Sequence, residues 1–417
     1  MTQLAGPNLN YAALSDLSMT HGASFFVLSG QRFAANFTAL HSAFSDHYPD
    51  VNIGYSYKTN YTPQLCRIAH SLGGYAEVVS EMEYALAKRL DIPGPRIIFN
   101  GPYKAWSAFE DAALTGATLN LDSHRDIEML SAVSANHPSA SVAVVLRCNF
   151  ALHEDGEISR FGMDPEGTEF AHALEVINAA PNLRLKGLHC HFPDRDLESF
   201  GLRAETMVAL LARVFPDAPP EVINIGGGYF SNMPDSLRTQ FSVPPAAFSD
   251  YGRLVGGILS KAYRGARPPA LFLEPGTALV ADTQSFYTQV ISTKTVRGKH
   301  FATVAGSSFD ISPTARSRVL PVTAILDEDD AARDESRAFD VVGYTCIEKD
   351  VLSEGFAAPL KPGDYLRYDN VGSYSVVMRP PFILPANPVL YTDPSGGALQ
   401  LIKQRQTTDD VFANFVF

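Results

Sequence analysis

Asn52-Ile53-Gly54-Tyr55-Ser56-Tyr57-Lys58-Thr59-Asn60 is a mostly apolar, strand-like run that ends in a lysine. A buried ammonium is costly, so a lysine directly after such a run is paired, exposed or consumed chemically as a Schiff base. Taken alone, the stretch reads as a strand ending in a solvated lysine. Two further strand ends change that. Gly226-Gly227-Gly228 follows the apolar run Val222-Ile223-Asn224-Ile225, and Glu274-Pro275-Gly276 follows Leu271-Phe272-Leu273. An amine, a backbone anion cradle and a carboxylate thus stand at three strand ends. Around them, apolar runs such as Phe25 to Leu28, Val142 to Leu146 and Leu183 to His191 alternate with helical stretches such as Phe33 to Phe44 and Phe170 to Asn178. That alternation predicts βα units and a parallel sheet. Chemistry at several widely spaced strand ends favours a closed (β/α)8 TIM barrel over an open doubly wound sheet.

From about Asp282 the texture changes to short β-rich runs punctuated by Pro and Gly, as in Phe301 to Gly306 and Phe339 to Tyr344. This predicts a second, C-terminal β-sandwich or β-barrel domain. The acidic run from Asp327 to Glu335 lies between those strands without apolar framing, so it reads as a solvated loop rather than a metal site.

A chain of 417 residues exceeds one ordinary core. Its 46% hydrophobic and 19% charged content is that of a globular enzyme. No run approaches the roughly 18 apolar residues of a membrane span, and the first residues lack a signal-peptide pattern. The formal charge of -12 argues against a nucleic-acid partner. The four cysteines, Cys66, Cys148, Cys190 and Cys346, are scattered without a Cys-x-x-Cys pair, which speaks against a disulfide framework or zinc knuckle and for a cytoplasmic setting.

Amine, anion cradle and carboxylate match the needs of pyridoxal phosphate. Its aldehyde needs a lysine, its phosphate suits backbone N–H groups where glycines permit close approach, and its ring nitrogen needs a carboxylate to keep it protonated. His189 and His191 are two apart in a strand, so both rings project to one face. Such a pair could ligate a metal, as in a metal-dependent barrel hydrolase, or be two satisfied core histidines. Beside the lysine and the glycine triplet, His191 is better read as stacking on the cofactor, with no metal.

The ordered set of motifs resembles the fold type III, alanine-racemase-like decarboxylases, which include diaminopimelate, ornithine and arginine decarboxylases. The resemblance spans nearly the whole chain. It runs from Tyr55 to Asn60, through Gly74 to Ser80 with Glu77, Ile98 to Lys104, Leu121-Asp122-Ser123, Ser159-Arg160-Phe161-Gly162 and Gly187 to His191. It continues through the glycine triplet, Glu274-Pro275-Gly276, Cys346 with Asp350, and Gly372-Ser373-Tyr374. It implies a pyridoxal-phosphate barrel over residues 26–281 and a β-domain of residues 1–25 and 282–417. Lys58, Glu77, His191, Gly226, Gly227, Gly228, Glu274, Gly276 and Tyr374 would bind the cofactor. Lys58, His191, Glu274 and Cys346 would be catalytic, with Cys346 returning the proton after CO2 leaves. Alanine-racemase relatives place an arginine at the ring nitrogen, so Glu274 implies decarboxylation. The resemblance also implies a head-to-tail homodimer with shared sites.

Three departures bear on the substrate. Phe192-Pro193-Asp194-Arg195 stands where the family has a small Gly-Ser pair near the phosphate, Thr277 where it has an arginine, and Ile347 where it has an acidic residue that receives a distal amine. Arg195 would substitute as a phosphate or substrate contact, and Thr277, Ile347 and Asp350 are the other expected substrate contacts. A retained cofactor apparatus with a rewritten substrate shell resembles the siderophore-pathway decarboxylases of citryl-conjugated amino acids. The alternatives are a diaminopimelate decarboxylase of lysine biosynthesis, another diamino-acid decarboxylase, and a non-catalytic homologue, against which Lys58 and Cys346 argue.

Overall fold

The computed structural model describes residues 9–152, 158–311, 318–329, 333 and 335–417. A helix Tyr11–His21, capped by the Asn10 side chain on the Ala13 N–H, leads into strand β1 (Ser24–Ser29). The barrel strands follow: β2 (Val51–Ser56), β3 (Tyr75–Val78), β4 (Ile97–Phe99), β5 (Thr118–Leu121), β6 (Val142–Arg147), β7 (Leu183–His189), β8 (Val222–Asn224) and β9 (Ala270–Leu273). Each pairs in parallel with the next, and β9 pairs back onto β2 through Val51 with Leu271 and Ile53 with Leu273, closing an eight-stranded barrel. The fold is therefore a TIM barrel, with helices such as His124–Asn136, Thr168–Ala179 and Leu197–Val214 between its strands. Closure sets the Lys58 turn beside Glu274. The N–H of Ser56 donates to the carbonyl of Pro275 at 3.1 Å, and its Oγ to the carbonyl of Glu274, 218 residues away.

The second unit is a nine-stranded sheet. Its later strands are β10 (Gln284–Val296), β11 (Lys299–Val304), β12 (Val322–Ile325), β13 (Arg337–Val342), β14 (Val351–Ala358), β15 (Tyr365–Tyr368), β16 (Val389–Thr392) and β17 (Gln400–Lys403). The order is β14-β13-β11-β10-β1-β16-β17, with β15 joining β10 to β12. The long β10 pairs with β1 and β15 along its first half and with β11 along its second. A register irregularity between Val290 and Ser292 marks the change, the device by which one strand serves two parts of a bent sheet. Leu14, Phe25, Val27, Tyr287, Tyr365 and Leu390 form a core in this unit, with Phe25 and Tyr287 stacked at 5.6 Å.

β1 corrects the expected organisation. The run Phe25 to Leu28 followed by a helix looks like the first βα unit of a barrel, yet β1 pairs with β10 and β16, and a boundary at 26 divides it. All six of its residues are buried, which suits an interior strand of either sheet, so partners more than 200 positions away decide its membership. By compactness one unit takes residues up to Phe33, Ser231–Ser242 and from Leu279 on, and the other takes Ala34–Phe230 and Val243–Ala278. In the acidic run, Glu328, Asp329 and Glu335 are exposed, while residues 330–332 and 334 lie outside the described residues. No helix among the described residues is long and apolar enough to cross a membrane.

Candidate active site

Lys58 sits in a single helical turn, Tyr57–Thr59, that follows β2 directly. Its neighbours Tyr57 and Thr59 are buried, which anchors the turn and leaves the lysine partly exposed to a cavity of about 890 Å³. Nζ donates to Glu77 Oε2 at 2.7 Å and to Ser56 Oγ at 3.3 Å. Glu77, at the end of β3 and fully buried, also accepts from the Ser56 hydroxyl and, at 2.8 Å, from Asn100 Nδ2.

Glu274 closes the base of the same cavity. Its Oε1 accepts from Asn224 Nδ2 at 2.7 Å and Asn100 Nδ2 at 3.0 Å, and Oε2 meets His189 Nε2 at 3.1 Å. Burial pushes the carboxyl pKa up, but the charge and hydrogen bond of His189, with Lys58 behind, hold it well below the usual carboxylate range. Glu274 is thus an ionised carboxylate in a buried place. His189 Nδ1 is buried without a partner, an orphaned polar atom beside that carboxylate.

His191 Nδ1 accepts the N–H of Gly227 at 3.0 Å, which puts the ring proton on Nε2. Burial, then the charges of Lys58 and Arg147, push its pKa well below 6.5, so the ring is neutral at working pH. The glycine turn differs from a cradle of three bare donors. Gly226 N–H is taken by Asn224 Oδ1 at 2.9 Å and Gly227 N–H by His191, because both side chains lie beside the turn. Glycine is nonetheless required there: Gly226 has φ +69°, and a Cβ on Gly227 would lie 2.3 Å from the Glu274 carbonyl. Gly276 packs on the lysine turn, where a Cβ would meet Thr59 Oγ1 at 2.0 Å, and Thr277 opens the short helix Thr277–Val280.

The outer cavity wall carries Arg147 and Arg160, whose guanidiniums lie 4.8 and 4.2 Å from the ring centre of Phe161. Arg147 also pairs with Asp122 at 2.9 Å. Arg195, expected as a substrate contact, is not in this wall: it lies over the ring of Phe230 at 5.9 Å, and its carbonyl accepts from the Tyr251 hydroxyl.

In the sheet unit, Cys346 is the exposed member of four free cysteines, with Ile347 40% exposed beside it. Asp350 is buried, and its carboxylate accepts from Ser307 Oγ (2.9 Å), Ser308 N (2.7 Å), Ser308 Oγ (2.8 Å) and Thr345 Oγ1 (2.7 Å). Its acceptor capacity is spent on holding the Cys346 loop, a different task from the expected substrate contact. Tyr374 is half-buried at φ +65°, a strained setting for a non-glycine residue.

Sequence reading assigned no role to Asn100, Asn224, Arg147 or Arg203. Two carried a visible signal: Arg147 ends the apolar run of β6 as Lys58 follows that of β2, and Asn224 interrupts an apolar run.

The model of the pyridoxal-binding domain of pyridoxal-dependent decarboxylases matches residues 34–281. The chain belongs to this family. The diaminopimelate decarboxylase of Mycobacterium leprae is 26% identical to it, over 96% of this chain and 88% of that protein. The L-glutamyl-[BtrI acyl-carrier protein] decarboxylase of Niallia circulans is 25% identical over 97% and 96%. The crystal structure of diaminopimelate decarboxylase from M. jannaschi shares the fold, with a TM-score of 0.85 at 20% identity over 96% of this chain and 94% of that one. The protein is a fold type III, pyridoxal-phosphate-dependent carboxy-lyase acting on an amino-acid substrate.

The donor set fits that cofactor, with a lysine amine for the aldehyde, an ionised buried carboxylate for a protonated ring nitrogen and a neutral imidazole for the ring face. His189, His191 and Glu274 also lie close enough to suit a metal ion, with ligand atoms within 4.8 Å of one another. Both Glu274 oxygens and His191 Nδ1 are, however, already hydrogen-bonded within the site.

Proposed function

We propose that the barrel site removes the α-carboxylate of a diamino acid, with meso-diaminopimelate as the first candidate. The similarity to diaminopimelate decarboxylases along nearly the whole chain supports this substrate class, and the buried, ionised Glu274 is the observation that carries the reaction type. Pyridoxal phosphate, when bound, supplies the sink for the electron pair left at Cα as CO2 departs. Lys58 would hold the cofactor through its amine, and Glu77, 2.7 Å from Nζ, is placed to take and return the Nζ proton. Glu274 keeps a proton on the ring nitrogen, because its own proton affinity is low and its charge is fixed by Asn100, Asn224 and His189. The neutral ring of His191 offers a flat face for stacking without competing for that charge. By the family resemblance Cys346, which is exposed, would deliver the proton to Cα, and Tyr374 would contact the cofactor.

In this reading Cys346 acts on the Lys58 site of a second subunit, which its exposure and the family pattern support. Mixing Lys58→Ala with Cys346→Ala protein under subunit exchange will restore activity to about one quarter of wild type, since half the molecules become heterodimers with one intact site of two. No recovery despite demonstrated exchange would place both residues in one subunit's site.

A second reading, a citryl-conjugated amino acid of a siderophore pathway, is favoured by specific residues. Ile347 cannot pair a distal ammonium, Thr277 removes a cation, and Arg160 offers one on the cavity wall for a carboxylate. The Niallia circulans relative, by its name, acts on a conjugated amino acid. CO2 release from meso-diaminopimelate, lysine, ornithine, citryl-diaminopropionate and citryl-serine separates the two. The first reading expects meso-diaminopimelate to lead. One lost charge-assisted contact is worth about 1.5–3 kcal/mol, so under the second reading the conjugates lead by roughly ten- to a hundredfold. Release from none of the five would overturn both.

A further inference from the structure

Arg203 is a buried cation whose partners are all neutral. It lies in the helix Leu197–Val214 and is 0% exposed. Nε donates to Ser199 Oγ at 3.2 Å, Nη1 to the Gly227 carbonyl at 2.9 Å, and Nη2 to the carbonyls of Phe192, at 3.3 Å, and Asp194. The rings of Phe192 and Phe200 cover it at 5.6 and 4.2 Å. Among the described residues no carboxylate forms an ion pair with it, although Asp194 and Asp196 are near enough to act on it through space. Carbonyl acceptors satisfy its N–H groups but leave a full charge out of water without a counter-ion, a costly arrangement unless an anion completes it.

Its position indicates which anion. The bond to the Gly227 carbonyl fixes the Gly227–Gly228 peptide, and in a planar trans peptide the Gly228 N–H points away from that carbonyl, hence away from Arg203. A Cβ on Gly228, which has φ +104°, would lie 3.7 Å from Arg203 Nη1, so the guanidinium stands directly behind the turn.

We propose that Arg203 anchors the cofactor's phosphate from behind the glycine turn. The proposal rests on reading Gly226–Gly228 as the phosphate site. Arg203 is a positioning residue in this scheme, acting by its charge and through the Gly228 N–H that it aims.

The test uses the full chain stripped of cofactor and titrated with pyridoxal phosphate and with pyridoxal, which has no phosphate. Arg203→Met is expected to raise the Kd for pyridoxal phosphate by about ten- to a hundredfold, the range of one charge-assisted contact, and to leave that for pyridoxal unchanged. Arg203→Lys, which keeps the charge but not the fork, should show a smaller rise with the same selectivity, and it carries the test if Arg203→Met does not fold. Equal losses for both ligands would reduce Arg203 to packing, and an unchanged Kd for pyridoxal phosphate would also overturn the proposal. Either failure leaves the decarboxylase reading standing, provided wild type binds pyridoxal phosphate more tightly than pyridoxal. Without that preference the phosphate reading of the turn falls as well.

Discussion

Lys58→Ala protein will still take up pyridoxal phosphate, but borohydride will no longer fix the cofactor to the chain, and CO2 release will fall by on the order of 1,000-fold or more. Lys58 is the amine that closure brings to the cavity floor, 2.7 Å from a carboxylate with no solvent exposure of its own. Lys104, by contrast, is wholly buried against Asp126 at 2.7 Å and donates to the Gly101 carbonyl, so it has no free path to a ligand. Mass analysis of a borohydride-treated digest checks the assignment: the cofactor's mass should appear on the peptide containing Lys58 in wild type and on no peptide in the variant. Stoichiometric fixation in the variant would mean that another amine carries the cofactor.

Glu274→Gln should release CO2 on the order of 100-fold more slowly while binding the cofactor about as well as wild type. The substitution keeps shape and removes charge. In the wild type His189, with Lys58 behind it, keeps the carboxylate ionised while two amide groups donate to it, the state that would hold a proton on the ring nitrogen throughout neutral pH. Glutamine leaves that proton unsupported, and it obliges one of the converging donors to face an NH2 group. Stopped-flow or steady-state CO2 measurement on protein with verified cofactor content reads the effect. A wild-type rate would show that the carboxylate is structural and that the electron sink needs no support from it.

The barrel and its cofactor were legible because their signals are local. Each barrel strand is a short apolar run, and the reactive group sits within one or two residues of its end, as Lys58 does after β2 and Glu274 after β9. The second domain showed in the change of texture near Asp282, just before β10 begins at Gln284. β1 was misplaced for the converse reason, since nothing in Phe25 to Leu28 records partners at Gln284–Thr288 and Val389–Thr392. Arg195, read as a phosphate or substrate contact, lies over Phe230 and outside the cavity lining, a placement no local feature of the sequence records. Arg160, which the family comparison supplied only as a signature match, stands in the cavity wall instead.

By itself, then, the sequence determined the fold class and the cofactor through residue types at the ends of apolar runs, and the type of reaction through the resemblance those motifs carry. Only the tertiary structure decided who meets whom: Asn100 bridging Glu77 and Glu274, Asn224 and His191 capturing two glycine donors, Asp350 bracing the cysteine loop, and Arg203 buried behind the glycine turn. A strand end exposes its chemistry wherever the strand is placed. The partner of a buried donor is fixed only when closure joins β2 to β9 and removes water as the alternative.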